Sequence, residues 1–137
     1  MTEKVEEQTL GKAIRKARAE AGLSLRKLAG QLSKHPSYIS DIENDNRVPS
    51  EAVLQDLSTI LNINFDHLMA LAGRLGEGTV EYVRKHPTAG VILRLISAAD
   101  LQEEDLRKLL QATERICRNK GVDAKSKVRS GKVKQVV

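Results

Sequence analysis

Residues 24–43 read SLRKLAGQLSKHPSYISDIE, and this stretch predicts two short helices joined by a tight turn. Ser24 is a favourable N-cap, because its hydroxyl can accept a hydrogen bond from an unpaired N–H group of the first turn. Leu25, Leu28 and Leu32 then recur at helical spacing. The stretch therefore opens with a short helix that has one apolar face.

The second helix of this stretch begins at Pro36, where a missing N–H group costs nothing because the first turn has no partner for it. Ile39 and Ile42 point inward, and the small side chain of Ala29 allows the two helices to cross closely. The pattern is typical of a helix-turn-helix whose second helix enters the major groove of DNA, although two packed helices without a nucleic-acid role explain the spacing equally well. The outer face of the second helix carries Pro36, Ser37, Ser40, Asp41 and Asn44.

The residues around this second helix resemble those of a known family. Residues 37–43, SYISDIE, followed by RVPS at residues 47–50, are similar to the Xre family of regulators, which have lambda-repressor-like DNA-binding domains. The resemblance extends over residues 10–71 of the 137. It implies a five-helix domain that binds operator DNA, usually as a dimer, through a recognition helix at residues 36–44. The side chains that it places against bases are Ser37, Ser40 and Asp41.

Three residues depart from the family pattern. Leu25 stands where the family often has a phosphate-contacting glutamine. Ser33 replaces the usual glycine of the turn, and Asp45 replaces the usual glycine after the recognition helix. Aspartate tolerates a left-handed backbone better than most residues, so the change at position 45 is mild.

Charge is spread unevenly along the chain, which has a net charge of +5. Residues 1–75 carry ten basic and ten acidic side chains, whereas residues 121–137 carry five and one. DNA binding must therefore depend on a local basic patch and not on total charge. Candidates for that patch, for which a solvated face of mixed sign is the alternative, are Lys12, Arg15, Lys16, Arg18, Arg26, Lys27, Lys34 and Arg47.

The composition favours an all-α fold with an aliphatic core, since the chain has one Phe, two Tyr, no Trp and only three prolines. The single cysteine, Cys117, excludes an internal disulfide and lies in an apolar helical stripe, where we expect a buried thiol. No apolar run reaches membrane-spanning length and no signal peptide precedes the motif. We therefore expect a soluble, cytoplasmic protein.

Helix start and stop signals divide the chain into four parts: a five-helix domain at residues 9–72, a linker at 73–78, a helical region at 79–120 and a basic, disordered tail at 121–137. Gly22 is expected to end the first helix. The expected N-caps are Thr9, Ser24, Ser50, Asn64, Thr88 and Asp100.

The first helix is expected to bury Leu10, Ile14, Ala17 and Ala21. The residues expected at the centre of the core are Leu28, Ile39, Ile42, Leu57, Leu61 and Leu68.

The helices of residues 79–120 carry apolar stripes that so small a region cannot bury alone. We expect these helices to form a dimer, because two half-sites on DNA require two recognition helices. Packing back onto the first domain is the alternative. The residues expected at the dimer interface are Val91, Ile92, Leu95, Leu106, Leu109, Leu110 and Ile116.

These patterns predict a sequence-specific transcriptional regulator, expected as a homodimeric repressor of a palindromic operator in double-stranded DNA. A protein-interaction module of the same fold, such as an antitoxin or coactivator, is the alternative. The expected DNA contacts are Arg26, Lys27, Lys34, His35, Pro36, Ser37, Tyr38, Ser40, Asp41, Asn44 and Arg47. The resemblance further suggests a regulatory protease or an antirepressor as a partner.

Catalysis is not expected, because no HExxH, CxxC, GxSxG or phosphate-loop glycine pattern occurs. The three histidines, His35, His67 and His86, fall in different segments. We therefore expect no metal site and no cofactor.

Overall fold

Eight helices lie within residues 7–124, the part of the chain that the computed structural model describes, and that part contains no strand. The first five helices belong to one unit and the last three to a second. Over the described residues the chain is therefore all-helical, as its composition predicts. The helices are α1 Leu10–Glu20, α2 Leu25–Gln31, α3 Pro36–Glu43, α4 Glu51–Leu61, α5 Phe65–Leu71, α6 Glu77–Lys85, α7 Pro87–Ala98 and α8 Glu103–Asn119.

Side-chain caps begin four helices of the first unit, as the sequence predicts. The side chains of Thr9, Ser24, Ser50 and Asn64 each accept a hydrogen bond from the backbone N–H three residues later, at 3.0–3.3 Å. Gly22, with φ +68°, follows the last turn of α1. These caps satisfy backbone donors that have no partner within their own helix.

The core of the first unit is aliphatic. The six residues predicted at its centre are all buried: Leu28, Ile39, Ile42, Leu57, Leu61 and Leu68. Ile14 and Leu54, also without exposed surface, extend this core into α1 and α4. On α1, Ala13 is buried, whereas the prediction for Ala21 is wrong, because Ala21 caps the end of the helix and is exposed.

Two of the residues that depart from the Xre pattern adopt a left-handed backbone. Ser33 has φ +54° and Asp45 has φ +58°. A residue with a side chain is strained in this region by about 1 kcal/mol, less for aspartate, which can form local hydrogen bonds. The turns on both sides of α3 therefore keep a geometry that glycine adopts readily, although neither residue is glycine.

Three details of the second unit differ from the sequence predictions. α6 begins before Gly78, which therefore lies in the first turn of a helix and not in the linker. Pro87 is the first residue of α7, so Thr88 lies inside the helix and does not cap it. Asp100, with φ +48°, closes the C-terminal turn of α7, and Gln102 occupies the N-cap position of α8.

The second unit leaves its apolar side chains largely open. Cys117 is partly exposed, so the prediction of a buried thiol is wrong. No helix of the described part is long and apolar enough to span a membrane. Most of the basic tail, residues 125–137, lies outside the described residues.

In the first unit, α1 meets the C-terminal end of α3 at Gly11, where the two backbones approach closely. A Cβ atom at Gly11 would lie 2.7 Å from the carbonyl oxygen of Ile42, and nearer still to that of Glu43. Only glycine fits such a gap without a shift of backbone. The N–H of Gly11 donates to Asp45 Oδ1 at 2.9 Å, and the hydroxyl of Thr9 donates to Asp45 Oδ2 at 2.7 Å. Asp45 thus caps α1 from the far end of α3.

A buried carboxylate holds the same end of α3. Glu43 is 4% exposed, and Nε and Nη2 of Arg18 donate to its two oxygens at 2.7 and 2.9 Å. Arg15 Nε adds a longer contact of 3.4 Å. Arg18 also donates to the carbonyl oxygen of Leu23 at 2.9 Å. We call these contacts of α1 with residues 43–45 the α1–α3 clamp.

The position of Arg18 corrects a sequence prediction. The hydrogen bonds to Glu43, aided by its negative charge, raise the pKa of Arg18 above its ordinary value, so the guanidinium stays charged at every working pH. Its side chain is only 17% exposed. Arg18 was expected in a solvated basic patch, but its charge is used inside the protein.

Ala29→Leu is expected to lower the free energy of unfolding of the first unit by about 1–3 kcal/mol or more, because it adds volume to a well-packed core. Ala29 is 1% exposed. The adjacent Gly30→Ala is the matched control: a Cβ atom there meets nothing within 4 Å, so stability should rise by about 0.5–1 kcal/mol. Thermal melting followed by circular dichroism measures both changes. An Ala29→Leu variant that melts like the parent would show that the core has room at this position.

Glu43→Ala is expected to destabilise the first unit by about 3 kcal/mol, because it leaves Arg18 without its buried partner. For a unit of this size that change lowers the melting temperature by about 10–20 °C. Asp56→Ala, which removes an exposed carboxylate from α4, is the control and should leave the melting temperature nearly unchanged. Equal melting temperatures for the two variants would rule out a structural role for the clamp.

Candidate nucleic-acid interface

The outer face of α3 presents the polar side chains that the sequence predicts. Ile39 and Ile42 are buried, which anchors the opposite face of the helix in the core. Ser37, Asp41 and Asn44 are exposed, whereas Ser40, Pro36 and Tyr38 are partly exposed. A helix held in this way can present its polar side to another molecule without changing its own packing.

His35 starts α3 and orients the first of these polar groups. Its Nδ1 accepts a hydrogen bond from the N–H of Ser37 at 3.3 Å, so the ring acts as the N-cap. That bond requires the neutral tautomer with its proton on Nε2. The hydroxyl of Ser37 lies 2.8 Å from the same Nδ1 and, in this tautomer, donates to it. The lone pairs of the Ser37 oxygen then remain available as acceptors.

Asn44 connects the end of α3 to α1 and to Ser40. Arg15 Nη2 donates to Asn44 Oδ1 at 2.9 Å, which fixes the orientation of the amide. Asn44 Nδ2 then faces the hydroxyl oxygen of Ser40 at 3.4 Å, a long and weak hydrogen bond. Because the Ser40 oxygen accepts from Asn44, its own proton is free to donate outward. Ser40 can therefore donate outward, whereas Ser37, in the tautomer described, can only accept.

Two cations lie over the ring of Tyr38. Arg47 Cζ is 4.9 Å and Lys34 Nζ is 5.6 Å from the ring centroid, both within the range of cation–π attraction. Lys34 comes from the turn before α3 and Arg47 from the loop after it. Tyr38 itself packs against the buried core. The structure thus brings together three of the sequence-predicted residues around one aromatic ring.

The basic patch expected from the sequence is smaller in the structure. Arg26 and Lys27 are exposed in the first turn of α2, and Lys34 and Arg47 are exposed beside α3. Arg15 is 56% exposed but contacts Glu43 and Asn44. Arg18 is largely buried and pairs with Glu43. Four cations in or beside α2 and α3 remain outside the clamp: Arg26, Lys27, Lys34 and Arg47. Lys12 and Lys16 are exposed on α1.

Sequence reasoning missed the clamp residues Gly11 and Glu43 and the capping role of Asp45. A signal for Glu43 was present, since it follows Ile39 by four residues and so shares the inward face of α3. Glu43 is the one charged residue at an inward position of α3. Because a buried charge is unfavourable unless it is paired, this position predicts a buried cationic partner. Gly11 and Asp45 carry no comparable local signal.

The described residues contain no group of three or more His, Cys, Asp or Glu side chains that could hold a metal ion. His35 caps α3, His67 lies in the first turn of α5, and His86 stacks on Tyr82 in the second unit, with ring centroids 4.2 Å apart. The polar face of α3 is therefore the principal candidate site.

Comparison with known proteins places the first unit in a family. The profile of a helix-turn-helix domain matches residues 11–74. A putative multi-protein-binding factor 1 of Yarrowia lipolytica is 35% identical over 57 residues, which cover 42% of this chain but 38% of that protein. A solved SinR protein/SinI protein complex is 25% identical, covers 77% of this chain and 95% of the matched one, and has a TM-score of 0.41.

A match over almost a whole relative decides the family. The HTH-type transcriptional regulator YazB of Bacillus subtilis, itself uncharacterised, is 36% identical over 64 residues. These residues cover 47% of this chain and 93% of that protein. The chain belongs to the Xre-like helix-turn-helix family of DNA-binding transcriptional regulators, which is not a family of enzymes.

Proposed function

We propose that this protein is a sequence-specific repressor that binds a palindromic operator as a homodimer, with α3 of each copy in the major groove. The observation that carries the proposal is the outer face of α3, where four polar side chains are at least partly exposed: Ser37, Ser40, Asp41 and Asn44. An α-helix fits the major groove, where each base pair presents its own pattern of donors and acceptors. A rigidly held helix with exposed polar groups suits that recognition.

The hydrogen-bonding state of each side chain suggests what it contacts. Ser37, whose proton is used by His35, can accept from an amino group of adenine or cytosine. Ser40, whose oxygen accepts from Asn44, can donate to the oxygen of guanine or thymine. Asp41 can only accept while ionised, so it favours the amino group of cytosine. Together these groups would distinguish base pairs along one half-site.

Phosphate contacts would set the position of α3 in the groove. The four cations free of the clamp, Arg26, Lys27, Lys34 and Arg47, are exposed and suited to that role. His35 and Pro36 lie at the start of α3, where they would pass close to the sugar–phosphate backbone. Such contacts add affinity for any DNA and carry no sequence information.

The proposed homodimer rests on the apolar surface of the second unit. Among residues 76–124, Gly90 is the only buried residue. Ile92 is 51% exposed, Leu95 64%, and Leu110 58%. Surfaces of this kind, contiguous along a helix, mark interaction sites in soluble proteins. Three short helices that bury no side chain of their own need another surface to cover them.

The pattern of charge along α8 favours a second copy as that surface. The first turn of α8 carries three acidic residues, and the last turn ends with Arg118. Two α8 helices packed antiparallel would place acidic ends beside basic ends. α7 carries Val91, Ile92 and Leu93 in succession, so its apolar side chains point to different sides of the helix. Such a helix is suited to the interior of a bundle.

Repression follows from occupancy alone. A dimer bound across a promoter blocks access to the DNA beneath it, and this needs no further contact with polymerase. Two copies joined through residues 76–124 would bring two α3 helices to one operator, whose half-sites we expect about one helical turn apart.

A second candidate is a protein-interaction module built on the same fold. Two observations favour it: the equal numbers of basic and acidic residues in 1–75, and the likeness to a putative multi-protein-binding factor. Selection of bound duplexes from a random pool, followed by sequencing, decides between the two. A repressor enriches one palindromic sequence and binds it at nanomolar concentration in physiological salt, whereas an interaction module enriches none.

Ser40→Ala and Asp41→Ala are expected to change which operator sequences are preferred, since each removes one base contact worth about 1–3 kcal/mol of discrimination. The fold should not change, because neither side chain is buried. Repeating the selection with each variant measures the preference, and thermal melting checks the fold. Asp56→Ala on α4 is the control and should enrich the parent sequence. Wild-type preference in both α3 variants would mean that another surface contacts the bases.

Leu95→Glu and Leu110→Glu are expected to give monomers, because each places a charge on a surface that the dimer would bury. Operator binding should weaken about a hundredfold or more, since two half-sites are no longer bound by one molecule. Gln111→Glu adds the same charge to an exposed position of α8 outside the apolar stripe and should remain dimeric. Light scattering and gel-shift titration of the same samples give both quantities. A dimeric Leu110→Glu variant, or a monomer that binds like the parent, would contradict the proposed interface.

A further inference from the structure

We propose that Tyr38 is a positioning residue that holds Lys34 and Arg47 ready for operator phosphates at the two ends of α3. The inference deepens the proposed function and rests on it, because it assigns DNA phosphates as the ligands of the two cations. Tyr38 acts through these cations and needs no contact of its own with DNA. This role differs from simple coverage of the core, which any apolar side chain could provide.

The geometry links parts of the chain that precede and follow the recognition helix. Lys34 ends the turn between α2 and α3, and Arg47 lies in the loop between α3 and α4. Both cations lie within 6 Å of one ring centroid, at 5.6 and 4.9 Å. One aromatic ring therefore restrains the two flexible side chains that flank α3.

The ring holds these cations without neutralising them. Within the described residues, neither Lys34 nor Arg47 forms a salt bridge with a carboxylate. An aromatic face attracts a cation through its quadrupole and leaves the net positive charge intact. An acidic partner would compete with a phosphate, whereas Tyr38 leaves the charge available. By contrast, Arg15 and Arg18 of α1 are paired with Glu43.

The anchoring of Tyr38 makes it suited to this task. Its ring packs against the buried core, and its neighbour Ile39 has no exposed surface. The ring is therefore fixed relative to α3, and cations resting on it are fixed relative to the same helix. Long basic side chains lose considerable conformational freedom when they bind. Side chains ordered before binding lose less, so the restraint should strengthen operator binding.

A set of four variants tests the inference on the operator obtained by selection with the parent protein. Tyr38→Phe keeps the ring, and Tyr38→Leu keeps an apolar cover but removes the ring. The double variant Lys34→Ala/Arg47→Ala removes both cations, and a triple variant adds Tyr38→Leu to it. Thermal melting verifies that each variant folds. If Tyr38→Leu does not fold, Tyr38→Met, which is apolar and adapts to irregular space, replaces it.

Tyr38→Phe is expected to bind the operator like the parent, and Tyr38→Leu about fivefold more weakly, as two exposed cation–π contacts suggest. In Tyr38→Leu the side chains of Lys34 and Arg47 lose their restraint but keep their charges. The slope of log affinity against log salt concentration should therefore stay unchanged. The double variant should lose about 0.9 of slope for each cation removed. In the double background, Tyr38→Leu should have no further effect, because its partners are gone.

Two results would overturn the inference. An equal loss of affinity from Tyr38→Leu in both backgrounds would show that Tyr38 does not act through the cations. A loss in Tyr38→Phe as large as in Tyr38→Leu would assign the role to the hydroxyl instead of the ring.

Nuclear magnetic resonance of the free proteins tests the same geometry without DNA. Protons of the Lys34 Cε and Arg47 Cδ groups should show upfield ring-current shifts in the parent and in Tyr38→Phe, and lose them in Tyr38→Leu. Absence of these shifts in the parent would overturn the inference. A parent protein that enriches no DNA sequence would overturn the proposed function and this inference together. If the parent binds its operator, but the losses of affinity from Tyr38→Leu and from the double variant simply add in the triple variant, only this inference is overturned.

Discussion

The close approach of α1 to the last turn of α3 is the constraint on which the candidate interface depends. Gly11 lacks the side chain that would strike the end of α3, and its N–H joins the Thr9 hydroxyl in binding Asp45. Asp45 has a left-handed backbone just after α3, so one residue both ends α3 and caps α1. A carboxylate at a helix N-terminus is also favoured by the helix dipole. The close backbone approach at Gly11 and the hydrogen bonds to Asp45 together constrain the direction of α3.

Charge pairing within the clamp reinforces this constraint and shapes the charge of the surface. Glu43 and Arg18 satisfy each other in a buried place, where an unpaired charge would be strongly unfavourable. The pair joins α1 to α3 and so favours the observed orientation of α3. Two of the cations outside the clamp, Lys34 and Arg47, flank α3 and lie over the ring of Tyr38. Arg18 therefore pairs with a carboxylate inside the protein, whereas Arg47 keeps its charge at the surface.

Local patterns predicted much of this fold, and the failures at Asp45 and Arg18 have a common cause. The caps at Ser24 and Ser50 and the buried Ile39 depend on neighbours within four residues, so spacing along the chain is enough to find them. The contact of Asp45 with Gly11 spans 34 residues and depends on how two helices cross. Arg18 was misplaced for the same reason, since its partner is 25 residues away. The polar face of α3 was predictable, but the hydrogen-bonding character of its serines was not.

A nearly neutral first unit changes how a regulator of this kind obtains affinity. Nonspecific binding comes almost entirely from phosphate contacts, and residues 1–75 carry equal numbers of basic and acidic side chains. Under the proposed function, the attraction of this unit to random DNA is weak, so base contacts made by α3 would account for a larger share of the binding free energy. One copy alone would bind weakly, whereas joining two copies makes the second half-site effectively intramolecular. Under the proposed function, the open apolar faces of α7 and α8 supply the affinity that charge does not, and the preference for the operator over random DNA increases as a result.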